Sequence, residues 1–336
     1  MKYIVCKEPY KLEIKEKDPP LAGADEALLK VHKVGVCGTD LHAYVGNQAF
    51  FRYPRILGHE LAAEVIHIGD NNKGIKPGDR VVVMPYVSCG HCIACRKGKT
   101  NCCTNIRVLG VHTDGGMQQE IAVRNDLLIP VNRLSYKEMA IVEPLAIGAH
   151  ALRRASPEPG ETVVVVGCGP IGLGLIKLAK ISGARVIAID TVESRLQFTK
   201  EVIGADFVLH AFRDPEKTVS EITNGDMATV VFDATGNKKA LETGINYMAH
   251  GGKYVLVGLS KGDLVYNHPE IHARETTLMC SRNATLEDFQ FVIDHIREFP
   301  TDAFVTHEVP YLDMPTHFDQ WTDPRSGTIK AMVSFE

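Results

Sequence analysis

The stretch ETVVVVGCGPIGLGLIKLAKISGARVIAID, residues 161–190, carries the strongest pattern in the chain. A valine run is followed by a glycine turn, then by apolar and small residues recurring at i, i+3 and i+4, then by a second apolar run ending on Asp190. That order reads as strand, turn, helix, strand. Gly167, Gly169 and Gly172 form G-x-G-x-x-G at the strand-to-helix turn, and Asp190 follows Gly172 by eighteen residues. In this context the pattern predicts a dinucleotide site: the glycines permit a tight turn and bring a pyrophosphate close to the free N–H groups of a helix N-terminus. Gly167, Gly169, Pro170, Ile171 and Gly172 are the candidate phosphate-binding residues. Asp190 can accept hydrogen bonds from ribose hydroxyls and would repel a 2′-phosphate, which favours NAD over NADP. Arg195, five residues on, can reach a phosphate or stack on adenine.

Downstream the alternation continues, with a helix expected at 193–204, a strand at 206–209, a helix at 216–223, a strand at 229–235, a helix at 238–249 and a strand at 253–259. Repeated β-α units of this length predict a doubly wound parallel sheet with helices on both faces, an α/β Rossmann-type domain. Upstream the texture differs. Short β-like runs such as 27–36, 62–69, 79–85 and 119–124 are separated by turn residues, as in KPGD at 76–79. The expected organisation is a β-rich domain over 1–150, a dinucleotide-binding domain over 151–285, and a return segment over 286–336, opened by an amphipathic helix, that completes the first domain. A chain of 336 residues fits about two domains of roughly 100–200 residues.

A formal charge of −4 offers no broad basic field, which argues against nucleic acid or an anionic membrane as partner. The longest apolar runs fall far short of the ~20 residues a bilayer span needs. The start, MKYIVCKEPYKLEIKEK, shows no cationic stretch followed by an apolar core, and nine cysteines are an odd count. A cytoplasmic, reducing location is therefore expected, where clustered cysteines bind metal more often than they form disulfides. The segment YVSCGHCIACRKGKTNCC, 86–103, places Cys89, Cys92, Cys95 and either Cys102 or Cys103 in one loop. Four thiolates on one tetrahedral zinc leave no position free, so this site is structural. The chemistry is expected earlier, at Cys37 in VGVCGTDLH and at His59 and Glu60 in ILGHEL, a thiolate, an imidazole and a carboxylate that suit a zinc ion with one position open to substrate.

CGTDLH at 37–42, LGHE at 57–60, the four-cysteine loop, the glycine turn and EPLA at 143–146 occur in the order of the zinc-dependent medium-chain dehydrogenase/reductase family, and the chain resembles that family over essentially its whole length. The resemblance implies a discontinuous GroES-like catalytic domain beside the Rossmann domain, two zinc ions per chain, NAD, and a homodimer or homotetramer. It implies Cys37, His59 and Glu143 as ligands of the catalytic zinc, with Glu60 as an exchangeable fourth ligand, and Cys103 as the last ligand of the structural zinc. Glutamate at 143, and glycine rather than arginine after Cys37, resemble the polyol and threonine dehydrogenase branch. Ala63 departs from the glycine usual after GHE. Thr39 and His42 match the family's proton-relay positions, with a water held by Glu60 or Glu143 as the alternative path, and Asp40 matches the carboxylate that orients the zinc-bound histidine. Val257, Gly258 and Leu259 match the backbone that meets the nicotinamide amide, and Arg325 the arginine that reaches the pyrophosphate.

Stretches 46–60, 99–103, 110–116 and 281–285 resemble the sugar-acid branch, of the bacterial L-galactonate (L-gulonate) 5-dehydrogenase type. That implies hydride transfer from a secondary alcohol of a sugar acid to NAD, with a sorbitol-like polyol or L-threonine as alternative substrates. A sugar acid needs a cationic or donor-rich pocket end. Arg282 is the first candidate, since a guanidinium offers several N–H donors to carboxylate and hydroxyls. His112 and Arg52 come next. A non-catalytic NAD(H)-binding protein is the contrasting reading, and it would have no need of the intact set Cys37, His59, Glu60 and Glu143.

Overall fold

The structure is a computed structural model describing residues 1–48 and 51–336; Ala49 and Phe50, within the sugar-acid-like stretch 46–60, lie outside the described residues. The chain divides into two compact units, one formed by 1–143 with 301–336 and the other by 144–300.

In the second unit the valine run becomes strand Thr162–Val166, buried along most of its length and paired in parallel on both edges, as a strand inside a sheet covered on both faces should be. Arg185–Asp190 and Phe207–His210 extend the sheet on one side, and Ala228–Asp233, Met248–Leu256 and Thr277–Cys280 on the other. Numbered along the chain, the six parallel strands lie in the order 3-2-1-4-5-6, the doubly wound order expected from the alternation. Two helices are shorter than predicted. Glu193–Phe198 passes into a wider π-helical turn, Thr199–Ile203, closed by Gly204 at φ +90°, and Lys238–Thr243 gives way to a 3₁₀ turn before strand Met248–Leu256 begins.

Helix Leu286–His295, expected to open the return segment, belongs to the second unit. The buried Asp288 explains its place. Its carboxylate caps the helix through the Thr285 N–H at 2.8 Å and accepts from Arg153 Nε at 2.7 Å, while His150 Nδ1 lies 2.8 Å away, so partners in the same unit hold it. The return begins instead at Thr301.

The first unit is β-rich. Its seven-stranded sheet is built around Glu26–Val36, which pairs antiparallel with Glu60–Ile68, Glu120–Arg124 and Lys330–Ser334. Two registers position the site: Gly35 faces Glu60, and Ala331 faces Val36. The ends of three neighbouring strands therefore bring Cys37, His59, Glu60 and Lys330 into one place. Lys330–Ser334 also runs parallel to Val305–Pro310, so the tail is an inner strand of this sheet rather than an appendage. Among the described residues no helix is long and apolar enough to cross a membrane.

Candidate metal and dinucleotide sites

Cys37 follows the central strand and caps helix Gly38–Tyr44, while His59 precedes and Glu60 opens the neighbouring strand Glu60–Ile68. Ligand atoms of Cys37, His59 and Glu60 lie within 4.8 Å of one another. The trio is well covered: His59 is 5 % and Glu60 0 % exposed. Room for the carboxylate comes from Gly35, where an added Cβ would stand 1.9 Å from Glu60 Oε2. The donor set suits zinc, and His59 Nδ1 is a buried polar atom with no hydrogen-bond partner, which a cation in the trio would compensate. Burial alone disfavours the imidazolium, but Cys37 and Asp40 outweigh it, so His59 is raised well above its ordinary value in the protein without metal.

Asp40 is fully buried and differs from its expected role. Its Oδ1 lies 3.9 Å from His59 Nδ1, too far for a hydrogen bond. Instead it accepts from the Cys37 N–H at 2.9 Å and the Gly58 N–H at 3.1 Å. Asp40 thus fixes the backbone beside both candidate ligands. Thr39 and His42 share helix Gly38–Tyr44 three residues apart, with Thr39 half-buried and His42 exposed, an order running from the trio toward solvent.

Glu143, in the first turn of helix Val142–Ala155, stands just outside the trio. Burial pushes its carboxyl up to about 7, with His59 pulling the other way. Two partners of the carboxylates had no motif to announce them. The Tyr86 hydroxyl donates to Glu143, and burial together with that carboxylate raises the phenol well above its ordinary value. Lys330 Nζ donates to Glu60 Oε1 at 2.5 Å and to the Val36 carbonyl at 3.0 Å, and is itself 2 % exposed. The one hint in the sequence is a lysine opening the otherwise apolar run KAMVS.

The four-cysteine loop closes as a sulfur cluster. Sγ atoms of Cys89, Cys92, Cys95 and Cys103 lie within 4.8 Å of one another. Cys103 is buried and Cys102 exposed, so the structure separates the two adjacent thiols. Backbone N–H groups of Cys89 and Asn105 donate to Cys103 Sγ, and that of Cys95 to Cys92 Sγ. Such bonds favour thiolates, and those from Cys95 and Thr104 bring Cys92 down to about 5. All nine cysteines are free of disulfides.

In the second unit Gly169 caps helix Pro170–Ile181, with Pro170 at the first position, where a missing N–H costs nothing. Gly167 takes φ +97°, and a Cβ at Gly172 would stand 1.8 Å from the Gly167 oxygen. At Gly169 an added Cβ would meet nothing within 4 Å, so the backbone lies open to an approaching group. Asp190 Oδ2 accepts from the Cys168 N–H at 2.6 Å and Oδ1 from the Val192 N–H at 2.8 Å, tying the second strand's end to the turn. Arg195 is half-buried and close enough to lower the Cys168 thiol, which burial nevertheless pushes up to about 12. After strand Met248–Leu256, the N–H groups of Val257 and Gly258 donate to the Asp233 carbonyl, and Leu259 is 79 % exposed.

The remaining candidates stand apart. Arg325 is exposed and forked onto Asp323, with Nη2 at 2.8 Å. His112 is half-buried, its Nδ1 accepting from the Val108 N–H at 3.1 Å. Arg52 and Arg282 are exposed, in the first and second unit respectively.

Two family profiles match in succession, the alcohol dehydrogenase GroES-like domain over residues 23–133 and the zinc-binding dehydrogenase over 170–298. The L-galactonate-5-dehydrogenase of Escherichia coli K12 is 41 % identical over 337 residues, covering 100 % of this chain and 99 % of that protein. The chain is a zinc-dependent medium-chain dehydrogenase. The sorbitol dehydrogenase of Bacillus subtilis is 36 % identical, across 82 % of this chain and 80 % of its own length. Among solved structures, an alcohol dehydrogenase from E. coli CFT073 complexed with NADH superposes with a TM-score of 0.92 at 29 % identity, covering 100 % of this chain and 99 % of that one. This medium-chain dehydrogenase is thus an enzyme of the alcohol and polyol class.

Proposed function

We propose that the enzyme oxidises a secondary alcohol of a sugar acid, of the L-galactonate or L-gulonate type, to the ketone with NAD as hydride acceptor. The observation that carries this is the 41 % identity, end to end, with an L-galactonate-5-dehydrogenase. Cys37, His59 and Glu143 hold the catalytic zinc, with Glu60 able to exchange in, and Cys89, Cys92, Cys95 and Cys103 hold the structural zinc. A zinc ion in the open site supplies a Lewis acid that acidifies a hydroxyl, as it lowers bound water from pKa ~15.7 to ~7. The Thr39 hydroxyl takes the substrate proton and His42 passes it to solvent, a path supported by their sharing one helix face. Gly167, Gly169, Pro170, Ile171 and Gly172 receive the pyrophosphate at the helix N-terminus. Asp190 selects NAD through the ribose hydroxyls with Arg195 beside it, and Val257, Gly258 and Leu259 meet the nicotinamide amide.

The substrate carboxylate calls for a cationic partner, and Arg282 is the first side chain to test, with His112 and Arg52 next. The exposed strand Thr277–Cys280, at the edge of the six-stranded sheet with Leu278 44 % exposed, supports pairing of subunits into a homodimer or homotetramer. Nine free cysteines suit the cytoplasm.

The test is NADH formation with L-galactonate and L-gulonate beside sorbitol and L-threonine. The expected kcat/KM is at least ~10-fold higher for a hexonate, the worth of one charge-assisted contact of about 1.5–3 kcal/mol. Equal rates on sorbitol would remove the carboxylate anchor and leave a polyol dehydrogenase.

A further inference from the structure

Tyr86 belongs to no donor set, yet it stands in the wall of the open site. Tyr86 is 5 % exposed and its hydroxyl donates to Oε1 of Glu143, a residue 57 positions further along the chain. What holds the ring there is the base of the sulfur lobe. Tyr86–Val87 pairs antiparallel with Arg107–Val108, Tyr86 facing Val108, and the Leu109 N–H donates to the Pro85 carbonyl at 3.1 Å. In sequence all four thiols of the closed cluster lie between those two short strands.

We propose that Tyr86 is a positioning residue that sets the Glu143 carboxylate for the open metal centre, and that the four-cysteine lobe sets Tyr86. This rests on the reading of Glu143 as a zinc ligand. The phenol O–H occupies one carboxylate oxygen, which fixes the rotation of the group and leaves the other oxygen as the ligand atom. Glu60 is held differently, by the charged Lys330. The two carboxylates of the pocket thus have separate holders, one neutral and one cationic. On this view the closed sulfur site does more than stiffen a loop, because the strand pair at its base aims the group that orients a ligand of the other ion.

The experiment compares the purified holoenzyme with Tyr86→Phe, Glu143→Gln and the double variant. Readouts are zinc per chain, chelator competition and the visible spectrum after cobalt is loaded into the open site. Tyr86→Phe should keep the four-cysteine ion and release the other about 10–100-fold more readily, the usual effect of losing a group that orients a ligand, with an altered cobalt spectrum. In the Glu143→Gln background the same change should add little, because the tyrosine acts through Glu143. Unchanged affinity and spectrum in Tyr86→Phe, or an effect that persists in full without Glu143, would overturn the inference. A wild-type enzyme that binds a single zinc, at the four cysteines, would overturn the functional reading itself and the inference with it.

Discussion

Replacing Lys330 with methionine is expected to destabilise the first unit by about 3–5 kcal/mol, the usual consequence of leaving one member of a buried ion pair without its partner. Lys330 and Glu60 are 2 % and 0 % exposed, and Nζ serves both the carboxylate and the Val36 carbonyl. Methionine fills most of the volume but returns no donor, so the carboxylate must either ionise in a dry pocket or take up a proton. The measurement is available in isolation. Trp321 is the only tryptophan in the sequence, is buried, and packs into the core of the first unit, so its fluorescence follows the unfolding of that unit. The metal-free protein should show the full loss, and Lys330→Met combined with Glu60→Gln should recover most of it, because no charge is then left unpaired. A loss of under ~1 kcal/mol in the single variant would mean that water reaches Glu60 and that the pair is not buried in solution.

The second large effect is expected at the glycine turn, and there two glycines separate folding from binding. In Gly172→Ala the new Cβ would stand 1.8 Å from the Gly167 carbonyl oxygen and 2.9 Å from its carbon. That carbonyl belongs to a turn fixed by the Gly167 N–H on Ile189 at 2.7 Å and the Cys168 N–H on Asp190 at 2.6 Å, so the backbone itself must shift. The cost should reach or exceed the ~1–3 kcal/mol typical of overpacking, with NADH affinity falling ~10-fold or more. Gly169→Ala is the contrast. Its φ of −77° suits any residue and its Cβ would meet no protein atom within 4 Å, so stability should be unchanged. A methyl group in the path of the pyrophosphate should still weaken NADH by a similar factor. Titrating NADH fluorescence against thermal unfolding for both variants decides the matter. Undiminished NADH binding by a stable Gly169→Ala would place the cofactor elsewhere.

The parallel sheet was legible because its strands are buried on both faces and read as unbroken apolar runs, as 162–166 does. The trio was legible too, since Cys37, His59 and Glu60 sit in short local motifs at adjoining strand ends. Two features escaped because they are made by distance in the chain. Lys330 reaches Glu60 across 270 positions through the pairing of a C-terminal strand with Glu26–Val36, and a single lysine in an apolar run carries no record of that register. Tyr86 reaches Glu143 from a strand of two residues, too short to show any periodicity. The amphipathic pattern of helix Leu286–His295 tells that one face is covered but not by which unit, so the sequence alone places it with the return segment. The long-range pair of Asp288 with Arg153 answers that question. Adjacent Cys102 and Cys103 were equivalent as chemistry, and only the backbone after the 3₁₀ turn Thr100–Cys102 turns one inward.

A metal ion held at Cys37 and His59 would acidify the substrate hydroxyl, while the four-cysteine ion would take no direct part in the chemistry. The most direct test is stepwise removal of zinc by a chelator, following metal content and NADH formation on a hexonate in the same samples. Activity should fall in proportion to loss of the first, more labile zinc and return when one equivalent is restored, with the fold intact throughout. Turnover that survives release of that ion, or that is lost only with the four-cysteine ion, would contradict the account.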